Sequence, residues 1–65
     1  MIDFKEYTLQ NDGKHVFIST ISGKTDGMLT GSKTDQEGNI TALVLRKYFH
    51  RIEVPTEEIL NIRLS

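Results

Sequence analysis

The segment Ile40-Thr41-Ala42-Leu43-Val44-Leu45-Arg46-Lys47 decides which fold the sequence predicts. Aliphatic and β-branched residues dominate it, and four consecutive positions, 42–45, are apolar. Such a segment favours a β-strand that is covered on both faces, because successive side chains of a strand point to opposite sides. One face meets the core, and the other meets either a bent part of the same sheet or another molecule.

The N-terminal segment admits two structures. Residues 4–10 carry Phe4, Tyr7 and Leu9 and are followed by Asp12-Gly13. Asp-Gly is a strong hairpin signal because both residues tolerate a positive φ, so the pattern favours a first β-hairpin. Phe4 and Tyr7 lie three residues apart, however, and this spacing also suits one turn of helix.

The middle of the chain alternates strand-like segments with polar turns. We predict a strand at 15–21, a turn at Ser22-Gly23-Lys24, and a second strand from about Thr25 that is bent or bulged at Gly31. The polar residues 35–39, centred on Gly38, predict the turn before the strand at 40–47. Gly27→Val is expected to be costly if Gly27 has a positive φ.

The C-terminal third predicts two more strands around a short helical turn. Residues 51–54 alternate polar and apolar side chains, although no Gly or Pro marks a break between 48 and 51. After Pro55, Thr56 is a good N-cap residue and two acids follow it, which fits a 3₁₀ turn over Thr56-Ile59. Residues 60–64 then alternate as a last strand, and a helix from Thr56 is the alternative.

These elements predict one small all-β domain over residues 1–65. We expect an SH3-like barrel of five or six short antiparallel strands with one 3₁₀ turn near Thr56-Ile59. A chain of 65 residues without cysteine has no disulfide to support a small core, so self-association is a reasonable expectation. Charged residues make up 26% and no long apolar run occurs, which predicts a soluble, cytoplasmic protein with no membrane segment.

The sequence carries no signature of catalysis or metal binding. It lacks a nucleophile elbow or triad pattern, so we expect no enzyme activity, no cofactor and no small-molecule substrate. His15 and His50 are the only imidazoles, and their spacing sets no ligand geometry, so solvated strand histidines are the expectation.

One segment mixes basic and aromatic residues, and it predicts two possible kinds of contact. For a protein partner or a second copy, the expected residues are the apolar and aromatic ones: Val44, Leu45, Tyr48 and Phe49. For a nucleic acid, they are the cations and one turn residue: Arg46, Lys47, His50, Arg51 and Asn39. Since the net charge is -1, strong nucleic-acid binding is not favoured.

Several turn and core residues resemble the Sm-like family. The run that resembles its first motif consists of Gly23, Gly27, Leu29, Gly31, Asp35, Asn39 and Ile40. Residues 54–59 followed by Ile62 stand where that family carries its second motif. The resemblance implies a strongly bent small barrel that assembles into a ring and binds single-stranded RNA, with Asp35 and Asn39 in a loop that faces the RNA.

Two other small families are similar to the same part of the chain. Residues 38–44 and 54–59 resemble segments of PRC-barrel domains, and the C-terminal segment is similar to the end of the YolD-like proteins of Gram-positive bacteria and their phages. Shared core and turn residues indicate a fold more than a function. The function expected is therefore a non-catalytic interaction module of a bacterial or phage protein, binding protein partners or itself. An Sm-like ring that binds single-stranded RNA is the alternative.

Overall fold

Five antiparallel strands form one open sheet in the computed structural model, which describes residues 3–64. The elements in chain order are α1 (Phe4–Asn11), β1 (His15–Thr20), β2 (Gly23–Thr34), β3 (Ile40–Lys47), β4 (His50–Pro55), a 3₁₀ turn (Thr56–Glu58) and β5 (Ile59–Leu64). The strand order across the sheet is β4-β3-β2-β1-β5, so β4 and β5 are its two edges. The predicted mostly-β architecture is confirmed, as an open sheet.

One hydrophobic core lies under the sheet. Buried residues of the four strands β1–β4 supply it: Val16, Ile18, Leu29, Leu43, Leu45 and Val54. Partly buried side chains from the helix, the edge strands and the start of β3 pack around these: Phe4, Tyr7, Ile40, Ile52, Ile59 and Ile62. Every strand therefore contributes side chains to the core or to the layer packed against it.

The strand predicted at 40–47 is confirmed with the same bounds. It pairs with β2 on one side and with β4 on the other. Leu43, Val44 and Leu45 are buried in succession, as the apolar run required. Two register shifts in the β2–β3 pairing, one of them at Thr30, accompany this burial, and such bulges bend a sheet.

The first hairpin predicted at the N-terminus is wrong, because residues 4–11 form a helix. The Asp3 carboxylate accepts a hydrogen bond from the backbone N–H of Glu6 at 3.2 Å and thereby caps the helix. Phe4 and Tyr7, three residues apart, both pack on the core, whereas Leu9 is exposed. Gly13, with φ 82°, follows the helix instead of turning a hairpin, and its N–H donates to Leu29 O at 2.7 Å.

The C-terminal prediction of a 3₁₀ turn and a last strand is confirmed, and the helix alternative from Thr56 is wrong. Thr56 does not cap the turn with its side chain. Its hydroxyl instead donates to the carbonyl oxygens of Ile40 and Thr41, at 3.1 and 3.2 Å, and joins the turn to the start of β3. A residue identified as a helix cap from its local sequence thus makes a long-range contact.

A glycine is needed at position 27 because little room remains there for a side chain, and not because the backbone adopts a positive φ. The glycines with a positive φ are Gly13, Gly23 and Gly38, so the condition set above for a costly Gly27→Val, a positive φ at Gly27, is not met. A Cβ on Gly27 would lie 3.1 Å from both the carbonyl oxygen of Arg46 and the Cβ of Leu45. A Cβ on Gly31 would meet no atom within 4 Å.

Gly27→Val is expected to lower the free energy of unfolding by about 1–3 kcal/mol, because the new side chain must push β3 away from β2. Gly31→Val, the same change on the same strand, is the control and should stay within about 0.5 kcal/mol of wild type. Urea unfolding followed by circular dichroism measures both. Equal losses for the two variants would contradict the close approach at Gly27.

Candidate functional site: a basic groove beside an aromatic turn

Tyr48 and Phe49 form the two-residue connection between β3 and β4, since Lys47 and His50 are paired across the ladder. We call these two residues the aromatic tip. Tyr48 is 81% exposed and Phe49 is 96% exposed, so the rest of the chain covers neither ring. Tight hairpin loops of this length favour Gly, Asn and Asp, which makes two large aromatic residues unusual at this position.

Tyr48 has a φ of 56°, and no other non-glycine residue among 3–64 has a positive φ. A bulky side chain in this left-handed region costs roughly 1 kcal/mol or more relative to glycine. The aromatic tip therefore combines an unfavourable backbone angle with exposed apolar surface. Neither feature stabilises the fold.

A groove of about 420 Å³ lies beside the aromatic tip. Three strands line it, with small or hydroxyl-bearing residues from β2 and longer side chains from β3, the tip and β4: Thr30, Gly31, Ser32, Val44, Arg46, Phe49, His50 and Arg51. We call it the Arg groove. The hydroxyl of Thr30, at the bulge, donates to the Val44 carbonyl at 3.2 Å and so helps to hold the strands that line it.

Arg46 and Arg51 stand directly opposite each other in the β3–β4 ladder. Like charges at opposite positions of a ladder repel each other. Neither guanidinium forms a salt bridge with any carboxylate in residues 3–64. Arg51 helps to lower the pKa of Glu53, but the hydrogen bond from Lys33 lowers that pKa more and Lys33 holds the carboxylate. The two arginines thus concentrate positive charge in the Arg groove.

Lys47, by contrast, is engaged within the chain. Its ammonium lies 2.8 Å from Asp26 Oδ1, and His15 Nε2 lies 2.9 Å from Asp26 Oδ2. The hydrogen bonds that Asp26 accepts from Lys47 and His15 lower its pKa, and the hydrogen bond that Lys47 donates to Asp26 raises the pKa of Lys47. The same ammonium lies 5.9 Å from the centre of the Tyr48 ring, within range of a cation–π contact.

A second cluster, which no sequence pattern indicated, lies on β1 and β5. Phe17 is flanked by His15, with ring centres 5.0 Å apart, and by the Arg63 guanidinium at 5.7 Å from its ring centre. His15 and Phe17 alternate with buried Val16 and Ile18, so the strand pattern places them on the opposite face. His15 contacts Asp26 on β2, and Phe17 contacts Arg63 on β5. Both contacts depend on how the strands align with one another, and no local sequence pattern indicates that alignment.

The structure brings five of the predicted site residues together in the Arg groove: Val44, Arg46, Phe49, His50 and Arg51. Tyr48 and Lys47 lie beside it and line a neighbouring depression with Asp26. Leu45 is fully buried in the core, so its side chain offers no contact surface.

Asn39 is distant from the other predicted nucleic-acid contacts. It precedes β3, and seven residue steps of about 3.3 Å put the two ends of that strand roughly 23 Å apart. Its backbone N–H donates to Asp35 Oδ1 at 2.9 Å, as expected for a residue that forms the turn. The predicted set Arg46, Lys47, His50, Arg51 and Asn39 therefore does not form one surface.

Residues 3–64 contain no group of three or more His, Asp or Glu side chains placed to hold a metal ion. In the same range, no helix has the length and apolar character needed to cross a membrane. No protein-family model, curated protein or solved structure matches the chain. The groove and the aromatic tip are therefore interpreted from their own chemistry.

The Asp26 ion pairs predict a loss of stability in acid. Because the folded-state pKa of Asp26 is lowered, its contribution is present above its ordinary pKa of 3.8 and is lost as the pH falls through the lower folded value. Between about pH 6 and pH 2, wild type should lose more stability than Asp26→Asn, measured by urea midpoints. Asp12→Asn, which removes an exposed carboxylate with no ion pair in the described residues, is the control and should follow wild type.

Proposed function

We propose that this chain is a non-catalytic interaction module that associates with further copies of itself through the aromatic tip and the free edge of β4. The observation that supports this most directly is the aromatic tip. Two aromatic rings, 81% and 96% exposed, stand on a turn whose backbone angle disfavours one of them. Strained, exposed residues of this kind concentrate at functional sites, and aromatic side chains are enriched at protein interfaces.

The edge of β4 continues directly from the tip. β4 pairs only with β3, so one side of its backbone has no strand beside it in residues 3–64. A free edge offers N–H and C=O groups for pairing with another strand, which is the geometry of β-augmentation. The backbone would then supply hydrogen bonds, and Tyr48 and Phe49 would supply apolar area. Because β3 is paired on both sides, this role falls to β4 and not to the apolar segment 42–45.

The opposite edge provides a surface on the second copy. β5 pairs only with β1, and it exposes Leu60 and Leu64. An interface between β4 of one copy and β5 of the next joins two different edges, so it is a head-to-tail contact that closes into a ring or grows as a filament.

A strongly curved SH3-like barrel that stays open between its edge strands β4 and β5, and membership of the Sm-like family, belong to this same proposal. The consecutive burial of Leu43, Val44 and Leu45 and the register shifts in β2 support strong curvature, since a flat sheet exposes alternate residues of each strand. An Sm-like ring would be one form of the head-to-tail assembly.

Tyr48→Gly separates the contact role of the aromatic tip from its role in folding. We expect it to raise the free energy of unfolding by about 0.5–1 kcal/mol, because glycine accepts a positive φ without strain. The same variant should weaken self-association, measured by sedimentation velocity over a range of protein concentrations. Phe49→Ser should weaken association as well, without the gain in stability.

Leu9→Ala removes an exposed apolar side chain from α1 and is the control for both variants. It should associate as wild type does. A wild-type protein that stays monomeric at every concentration, or tip variants that associate normally, would contradict the proposal.

Binding of single-stranded RNA is the second candidate function, and the Arg groove favours it. Arg46 and Arg51 are free of salt bridges with residues 3–64 and lie beside the exposed ring of Phe49. Guanidinium groups bind phosphates, and an aromatic ring stacks on an unpaired base. The net charge of -1 and the distant position of Asn39 favour at most a short contact.

RNA binding is tested by titrating a fluorescent oligo-uridylate at several salt concentrations. If the groove holds phosphates, affinity falls as salt rises, and Arg46→Ala should reduce the slope of log affinity against log salt by about one. Lys24→Ala removes the same charge from a residue that lines neither the groove nor the depression next to it, and it should leave the slope unchanged. Affinity that is independent of salt would exclude this candidate.

A further inference from the structure

We infer that the Arg groove binds a protein segment in which a carboxylate side chain lies next to an apolar one. This inference rests on the proposed interaction function and adds to it the chemistry of the partner. It depends on the charge of the groove, on its apolar lining, and on the engagement of Lys33 and Lys47 with carboxylates of the chain.

The charge of the groove calls for an oxyanion. Arg46 and Arg51 face each other without a salt bridge to any carboxylate in residues 3–64, and both line the groove. Bringing two guanidinium groups together is unfavourable unless an anion lies between them. A planar guanidinium donates two parallel N–H bonds to a carboxylate, which makes such a pair both strong and directional.

The lining also provides a place for an apolar side chain. Val44 is 6% exposed, and this remaining surface belongs to the groove lining. The ring of Phe49 stands beside it. Gly31 has no side chain, and no atom lies within 4 Å of where its Cβ would be. An aliphatic residue adjacent to the bound carboxylate therefore finds both apolar contacts and space.

A carboxylate fits the surroundings of the groove better than a phosphate chain. Proteins that follow a nucleic-acid backbone present a continuous row of cations. Here the lysines nearest the groove are already engaged, Lys47 with Asp26 and Lys33 with Glu53. The lining of the Arg groove thus contains one pair of arginines that are free of salt bridges with residues 3–64, which matches one or two carboxylates.

The chain's own C-terminal acids cannot fill its own groove. Glu57 and Glu58 follow β4 at the end of the strand away from the tip, and they are separated from the groove by roughly the length of that strand, about 16 Å over five residue steps. Together with Ile59 and Leu60 they have the expected chemistry, an acidic pair followed by apolar residues, with Leu60 exposed. The peptide acetyl-Glu-Glu-Ile-Leu-amide is therefore a suitable probe.

The peptide is titrated into the full chain, and its affinity is measured by isothermal calorimetry and by backbone amide shifts of Gly31 and Ser32. We expect saturable binding that weakens at least about tenfold when both Glu residues of the peptide are replaced by Gln, as expected for the loss of a charge-assisted pair. Arg46→Gln and Arg51→Gln should each weaken it similarly. Lys24→Gln, which removes a charge from a residue that lines neither the groove nor the depression next to it, is the matched control and should bind as wild type.

Three results would overturn the inference. The first is no binding of the peptide, and the second is equal binding of the Glu and Gln peptides. The third is an oligo-uridylate that binds more tightly and displaces the peptide, which would assign the groove to RNA. Self-association of wild type is measured in parallel by sedimentation velocity. If self-association persists while the peptide fails, only the inference is lost, whereas a monomeric wild type counts against the proposed function itself.

Discussion

The pairing of β3 on both of its sides is the constraint on which the rest of the structure depends. Leu43 and Leu45 enter the core from this strand, and the β2–β3 register brings Leu29 opposite Leu45. That register also brings Gly27 close to the backbone of Arg46, so a side chain at position 27 would have to push the two strands apart. Because β3 leads directly into the aromatic tip and then into β4, the same pairing determines where Tyr48, Phe49 and the two arginines stand.

Core and surface follow different rules in this protein. In the core, local preference and tertiary structure agree: β-branched and aliphatic residues form strands, and Gly38, with φ 85°, lies in the turn before β3. At the β3–β4 turn they disagree. A tyrosine adopts a positive φ, a phenylalanine is almost fully exposed, and two arginines face each other. Local conflicts in an otherwise consistent fold are expected at functional sites.

The ion pairs show how the sheet distributes its charges. Lys47 pairs with Asp26 on the adjacent strand β2, and Lys33 on β2 pairs with Glu53 on β4 across β3, so their charges are balanced within the chain. Arg46 and Arg51 have no such carboxylate in residues 3–64 and belong to the groove instead. Exposed ion pairs contribute little to stability, so this division matters more for recognition than for folding. Arg46 and Arg51 therefore form one concentrated positive site on a chain whose net charge is -1.

Most of the strands could be predicted from the sequence, because the signals that indicate them are local. The apolar run 42–45, the polar turn around Gly38 and the alternation at 51–54 predicted the strands, because burial pattern and turn chemistry act over a few residues. The basic and aromatic residues 46–51 also predicted a candidate site, and Arg46, Phe49, His50 and Arg51 line one groove. At the N-terminus the local signals conflicted: Asp12-Gly13 favoured a hairpin, and only the packing of Phe4 and Tyr7 on the core decided for a helix.

Tertiary structure alone decided the contacts between strands. Leu45 and Arg46 are neighbours in the sequence, yet one lies in the core and the other in the groove, because their strand alternates and its register with β2 and β4 sets which face is covered. The partnership of Asp26 with Lys47, and the separation of Asn39 from the arginines, follow from the same register. Composition and turn signals determined that this chain forms a sheet, whereas long-range pairing determined which side chains meet on its surface.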